Sequence, residues 1–482
     1  MNYGIVRRVL GSLLVVEAIL FLPGLLIGLY YGETSWQSMG LSVLITLAAG
    51  GLLLLSSRNI STNVRPKDGL MIVALGWVLV SAFGSLPFML SGFIPRFVDA
   101  FFETVSGFTT TGASILYDVE VLDRGIQFWR IFTHWIGGMG ILVFSLALLP
   151  ALGIGSFQIF KAESPGPVAG KIAPRMKNTA RILYVSYFSL TIAQILLLKL
   201  GGMTWYEATV HSFSTMGTGG FGMYNDSVAS FNDFVQMTLG VFMILAGFNF
   251  SWYFLIFRGK AKDVAKSQEL RLYLKVIAAA TVIVMIDLLL RYGLNEARAF
   301  RDAFVQVASI MTTTGMSNHD FTAWPYFSQM ILLILMFIGG CAGSTAGGMK
   351  VIRILVSGKL VRREFSKIAH PRAYSPIKVD GRILPNEVVA GITSFLSLHL
   401  IVFLFGVLVI SLENYDLMTS ISAVAATLNN IGPGLSLLGP KFNYAFFSDF
   451  SKLFLSLIML LGRLELYTII ALIAPKRWMD QS

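Results

Sequence analysis

Thr109-Thr110-Thr111-Gly112 and Thr312-Thr313-Thr314-Gly315 are the same four residues at two places in one chain. Asp99-Ala100-Phe101 precedes Gly112 by the interval at which Asp302-Ala303-Phe304 precedes Gly315, and a long apolar segment follows both. Two relatives lie elsewhere, Ser214-Thr215-Met216-Gly217-Thr218-Gly219-Gly220 and Thr427-Leu428-Asn429-Asn430-Ile431-Gly432. Each begins where a short apolar segment breaks off, and each is followed by a long one. A single Thr-Thr-Thr-Gly would be a chance match in a membrane protein rich in both residues; the matched offset and the two relatives in the same context argue against chance. Four such units predict four hairpins about one axis, each supplying a strip of Thr- and Gly-rich backbone. Rings of backbone carbonyls that replace an ion's water shell are how a cation selectivity filter is built.

Of 482 residues 55% are hydrophobic and only 13% charged, against about a quarter charged in soluble proteins. Apolar runs near 9–31, 39–57, 69–92, 126–150, 181–201, 234–257, 272–292, 327–357, 387–411 and 449–474 predict ten membrane spans. The first is too long for the apolar region of a signal peptide, with no small-residue cleavage site after it, and is expected to stay as a membrane helix. Four shorter stretches lie between spans, near 99–111, 205–216, 300–311 and 417–428. A dozen helical residues cover ~18 Å against a hydrocarbon core of ~30 Å, so these segments only enter the bilayer and return. Irregular backbone at that depth needs protein or water around it, so each short helix must end at a cavity.

The expected fold is an all-α polytopic membrane protein of ten transmembrane helices. A two-helix N-terminal extension (1–68) precedes four helix–pore loop–helix repeats in pseudo-fourfold arrangement, at 69–152, 181–258, 272–357 and 387–475, with loops at 153–180, 259–271 and 358–386. Charge placement sets the orientation. Arg7 and Arg8, Arg58, Arg65 and Lys67, Lys161 through Arg181, Arg258 through Arg271, Arg353 through Arg382, and Lys476-Arg477 all fall on one side of such a bundle. That side, with both termini and the three loops, is expected to be cytoplasmic, and the strips belong to the other. The net charge of +11 is therefore a topology signal and not a nucleic-acid footprint. The lone Cys341 excludes an intramolecular disulfide, and the five histidines form no ligand pair, which argues against a structural metal.

Glycine suits the strips because turning successive carbonyls inward needs backbone angles, or a closeness of approach, that a β-carbon hinders. Threonine adds hydroxyl oxygens, and neutral oxygens suit a weakly hydrated monovalent ion. A divalent-cation filter is expected to use a carboxylate ring, and no strip has an acid beside its glycine. The candidate ion-binding residues are Thr110, Thr111 and Gly112; Gly219 and Gly220; Thr313, Thr314 and Gly315; and Asn430, Ile431 and Gly432. The second strip reads as carrying extra residues and the fourth replaces Thr-Thr by Asn430-Ile431, so asymmetric sites are expected. Each short helix ends at its strip, turning its negative dipole end toward the ion.

The run Gly339-Gly340-Cys341-Ala342-Gly343-Ser344-Thr345-Ala346-Gly347-Gly348-Met349-Lys350 interrupts the eighth segment. Glycine costs ~1 kcal/mol relative to alanine inside a helix, so the run predicts an unwound intramembrane loop, or else close helix packing through small residues. It is no phosphate loop, because Lys350 does not directly follow a glycine. Arg463 is read near the middle of the last span, where a charge costs ~2.5–3.5 kcal/mol and must face the bundle interior. Glu465 does not share its helix face, so Arg463 either pairs with another helix or stands in the pore. Glu17 and Asp287, nearer helix ends, are expected at the interface.

These features resemble the potassium uptake proteins of the Trk/Ktr/HKT superfamily, most of all the bacterial TrkH/TrkG type, across essentially the whole chain. The resemblance includes the two extra N-terminal helices that the shorter Ktr type lacks. It implies filter glycines at Gly112, Gly220, Gly315 and Gly432, and a gate formed by Gly339, Gly340, Gly343, Ser344, Thr345, Gly347, Gly348 and Lys350 with Arg463 as a positive barrier. It also implies a homodimer with one pore per protomer, in the bacterial inner membrane among lipid. A ring of cytosolic nucleotide-binding regulatory subunits is the implied partner, potassium or rubidium the substrate, with no covalently bound cofactor. The alternative is a sodium- or proton-coupled symporter working by alternating access. Against it, the repeats here are parallel, whereas many carriers use inverted ones, and no buried acidic pair offers a proton relay. No nucleophile–base or metal constellation supports an enzyme.

Overall fold

The computed structural model describes residues 2–57, 66–140, 176–371 and 375–466. Helix α1 (Tyr3–Leu20) continues through Phe21 into α2 (Leu22–Tyr31), and α3 (Ser35–Leu55) returns to pack against both. Four units follow. The first is α4 (Pro66–Gly84) with the short α5 (Leu86–Leu90), then α6 (Phe97–Phe108) and α7 (Arg124–Gly138). The second is α8 (Met176–Leu200), α9 (Trp205–Gly217), α10 (Asp233–Ala246) and α11 (Phe250–Phe257), after which α12 (Ala261–Ala265) leads on. The third is α13 (Gln268–Asp287), α14 (Glu296–Met311), α15 (Tyr326–Ile338) and α16 (Val351–Ala369). After the small hairpin β1 (Lys378–Val379) and β2 (Arg382–Ile383), the fourth is α17 (Asn386–Ile410), α18 (Leu417–Leu428) and α19 (Asp449–Arg463).

Three of the four short helices start where side chains cap them. Thr204 opens α9 with a full capping box, while Asn295 and Asp416 accept from the first turns of α14 and α18. Each of α6, α9, α14 and α18 packs on the long helix before it and the helix after it. Each also packs on the helix that follows the short one in the preceding unit: α9 on α7, α14 on α10, α18 on α15, and α6 on α19, which closes the circle. The repeated Asp-Ala-Phe lies in these seams. Asp99 receives Lys452 of α19 at 2.6 Å, and Asp302 receives Arg301 and Asn318, with Arg301 reaching on to Asp233 of α10. Ala100 and Ala303 are fully buried.

Six described helices are long and apolar enough to cross a membrane, or seven if one bent pair counts as a span. The run 234–257, expected as one span, is broken by a 93° bend between α10 and α11. The backbone groups freed at the break are satisfied by the glycine-rich run. Cys341 N–H donates to Gly247 O (2.9 Å), Phe250 N–H to Gly343 O (3.0 Å) and Thr345 Oγ1 to Ala246 O (3.2 Å), while Asn249 caps α11. Other expectations are corrected too. Helix α16 continues to Ala369, well beyond 357, and among the described residues the last helix ends at Arg463. Glu17 is wholly buried, its carboxylate lying with Thr104 and Phe108 over Gly84. Asp287 is buried as well, paired with Arg291 (3.1 Å) and Ser328 (2.6 Å). The ends of the 126–150 and 449–474 segments, most of the 153–180 loop, and Arg58, Arg65, Lys476 and Arg477 lie outside the described residues.

Loop contacts fall into two sets. Asn2 N–H meets Asp68, and Asp380 caps Gln268. In the other set Glu33 receives Arg124 N–H, Asn225 meets Asp118 and Glu120, Arg96 pairs with Asp449, and Lys441 lies by Asp320.

Candidate ion pathway

All four short helices end in one way. Residue 110 donates its N–H to the carbonyl three back and residue 111 to the carbonyl five back, at 3.1 and 2.9 Å. The pairs 218/219, 313/314 and 430/431 repeat this at 3.0 and 2.9, 3.1 and 2.8, and 3.3 and 2.8 Å. This is a Schellman-type ending, which needs one left-handed residue. That residue is Thr110, Thr218, Thr313 or Asn430, with φ of 55–57°. A β-branched residue there is a backbone outlier of the kind that clusters at ligand clamps. Two positions on, Gly112, Gly220, Gly315 and Gly432 have φ of 78–92°. The register corrects the sequence reading of the second strip: Thr218-Gly219-Gly220 matches Thr110-Thr111-Gly112 residue for residue, with nothing inserted. Thr218, absent from the candidate set, belongs to it; counting back two from each glycine would have found it.

The glycines form a ring in chain order. A β-carbon on Gly112 would fall on Gly219 O, one on Gly220 on Thr314 O, one on Gly315 on Ile431 O, and one on Gly432 would lie 2.6 Å from Thr111 O. Each strip therefore presses its glycine against the carbonyl preceding the next strip's glycine. The middle threonine hydroxyls close their own turns, Thr109 Oγ1 to Thr111 Oγ1 at 2.7 Å and Thr312 Oγ1 to Thr314 Oγ1 at 2.8 Å, and the side chain of Ile431 is buried in the core. Glu103, Arg130 and His134 brace the ring from behind. Glu103 pairs with Arg130 at 2.7 Å, both buried, and accepts from Ser114 and Ile115 N–H.

Outside the ring lies a cavity of about 130 Å³ lined by all four glycines and by Arg130. Toward the other face a cavity of about 110 Å³ is lined by the 343–348 stretch, Lys350, Arg353, Arg463 and Glu465. Between them the glycine-rich run is irregular from Gly339 to Lys350, which rules out a continuous packed helix. Gly347 N–H donates to Thr313 Oγ1 (2.6 Å) and Gly348 N–H to Asn429 O (3.1 Å). Arg463 donates to Gly137 O (2.5 Å), Gly138 O (3.0 Å), Thr345 O (2.8 Å) and Thr110 Oγ1 (3.2 Å), so it ties loop, α7 and first strip together. Glu465 pairs instead with Arg353, at 2.7 Å. Gly340, Gly343 and Ser344 hydrogen-bond the loop to itself and to the α10–α11 break, Gly339 packs closely on Gly347 and Gly348, and Lys350 turns back to Ala346 O.

An all-helical membrane protein whose re-entrant strips form a ring of carbonyls defines a class that passes cations. The family model described as a cation transport protein, TrkH, matches residues 37–480. The Trk system potassium uptake protein TrkH of Vibrio parahaemolyticus is 37% identical over 99% of this chain and all of its own length. TrkH of Escherichia coli K12 is 35% identical over the full length of both, and TrkG of the same strain 34% identical over 98% of each. The crystal structure of the potassium transporter TrkH from Vibrio parahaemolyticus superposes with a TM-score of 0.89 at 35% identity, covering 99% of this chain and 100% of that one. The chain belongs to the TrkH cation transport family, a family of transporters and not of enzymes.

Proposed function

We infer that this protein is the potassium-translocating subunit of a Trk system in a bacterial inner membrane, moving ions down their electrochemical gradient through one channel-like pore per chain. The observation that carries the reading is the closed ring of four glycine–carbonyl contacts, repeated with one hydrogen-bonding pattern. The four units are repeats about a pseudo-fourfold axis, with α1–α3 outside them, in a ten-span topology. Thr110–Gly112, Thr218–Gly220, Thr313–Gly315 and Asn430–Gly432 line the filter, whose neutral oxygens favour potassium and rubidium. The 339–350 loop and Arg463 gate it from the cytoplasmic side, since the loop is hydrogen-bonded directly to the bottom of the filter. A homodimer and a regulatory nucleotide-binding ring on the basic face complete the assembly. The ring-shaped contacts among parallel units favour a pore over alternating access.

The protein in liposomes, under an inward potassium gradient, is expected to take up rubidium-86 well above empty vesicles and to exclude sodium-22; sodium uptake equal to rubidium would overturn the potassium reading. Topology has its own test. In a Cys341→Ala background, cysteines beside Asp118 should react with an impermeant thiol reagent from outside, and those beside Arg372 only from the cytoplasm. Reversed labelling at either site would discard the ten-span arrangement.

A further inference from the structure

The second strip lacks the brace that its neighbours have. Strips one and three close with the hydroxyl pairs Thr109–Thr111 and Thr312–Thr314, and in the second strip those positions are Gly217 and Gly219. Glycine is the least restrained residue, so this turn has the most freedom to lose. Yet it holds the same two backbone bonds and the same left-handed angles as the others. What replaces the missing side chains is an imidazole from outside. A β-carbon on Gly219 would lie 2.1–2.4 Å from three ring atoms of His134, so the imidazole occupies the space a side chain would need.

His134 is fully buried and uses both nitrogens. Nε2 accepts the N–H of Phe221, the residue after Gly220, at 3.1 Å, and Nδ1 lies 2.7 Å from Gly107 O in the first short helix. A backbone N–H can only donate, so Nε2 carries no proton and Nδ1–H donates to Gly107: the ring is the neutral Nδ1–H tautomer. Arg130, one turn earlier on α7, donates to Gly222 O (3.2 Å) and lies 3.6 Å over the Phe221 ring. The Phe221 ring also lies beside His134, with centroids 4.2 Å apart. The residues leaving the second strip are thus clamped by one face of α7, and that face is itself fastened to Glu103 and Gly107 on one face of α6.

We propose that His134 is a positioning residue for ion selection: it joins the end of the first short helix to the residue leaving the second strip and sets the carbonyls of Gly219 and Gly220 at ion-coordinating separation. Only a flat ring with a donor at one edge and an acceptor at the other fits beneath a Cα that lacks a β-carbon while reaching both Gly107 O and Phe221 N–H. Gly219 is glycine to admit that ring. The proposal rests on the filter reading above, because it concerns the carbonyls that line that filter.

The test compares rubidium and sodium flux in liposomes, normalised to inserted protein, for wild type, His134→Gln, His134→Ala, Gly219→Ala and the double variant His134→Ala/Gly219→Ala. His134→Ala is expected to lower the rubidium-to-sodium ratio tenfold or more. His134→Gln, able to keep one bond of the two, should fall between it and wild type. Gly219→Ala should be as damaging alone, yet add nothing to His134→Ala, because the vacated ring space accepts the methyl. This non-additivity separates a shared position from two independent defects. An unchanged ratio in inserted His134→Ala, or in His134→Gln should the alanine variant not insert, overturns the proposal. So does full additivity in the double variant. Wild type that fails to select rubidium would instead sink the potassium reading itself.

Discussion

Gly112→Ser is expected to reduce the potassium-to-sodium flux ratio tenfold or more, with a much smaller effect on the amount of protein inserted. Gly112 sits at φ +78°, and a β-carbon there would overlap Gly219 O of the next strip. Holding a non-glycine residue in a sparsely populated region costs about 1–3 kcal/mol. The overlap can be relieved only by displacing Gly219 O, one of the four ring carbonyls. A displaced carbonyl changes the fit for a large, weakly hydrated ion, and each ~1.4 kcal/mol of lost discrimination is a factor of ten. The strip carries little packing, so assembly should survive. Paired isotope flux, normalised to inserted protein, measures the ratio; no change in a well-folded variant would remove Gly112 from the selective site.

Arg463→Gln is expected to raise basal potassium flux by about two decades. Arg463 is the cation tied to both Thr110 of the first strip and Thr345 of the loop. A fixed charge on the order of 6 Å from a permeating cation, at an effective dielectric constant of ~20, opposes it by about 3 kcal/mol, or roughly a hundredfold in rate. Glutamine removes the charge and keeps a donor for one of the carbonyls on Gly137, Gly138 and Thr345, so the helix end stays covered. Stopped-flow flux in liposomes, normalised to inserted protein, checks it. Equal flux in an inserted variant would reduce Arg463 to a brace for those carbonyls, and loss of assembly would favour that structural role too.

The membrane class and the short helices were legible because they depend on local quantities. Whether an apolar run is twelve or twenty residues long decides whether it crosses the bilayer, and α6, α9, α14 and α18 begin and end within a few residues of the expected stretches. The glycine-rich run was legible for the same reason, since five glycines in a dozen residues disfavour a helix wherever they lie. The break at Gly247–Asn249 was hidden. Its surroundings are as apolar as any span, and the cost of breaking is met by partners at Cys341, Gly343 and Thr345, about a hundred residues away.

Composition and repeat spacing by themselves determined that this chain is a helical membrane protein and where its four short helices lie, and they set the expectation for which side its basic loops take. These follow from hydropathy and charge, which each segment carries alone. Only the tertiary structure decided how the strips meet: that Thr218, and not an inserted glycine, matches Thr110; that each glycine abuts the next strip's carbonyl; and that Arg463 reaches backbone carbonyls and not Glu465. It alone placed His134 beneath Gly219. Contacts of this kind join residues as far apart as Thr110 and Arg463. No local pattern encodes them, because they exist only once four separately formed hairpins close a ring.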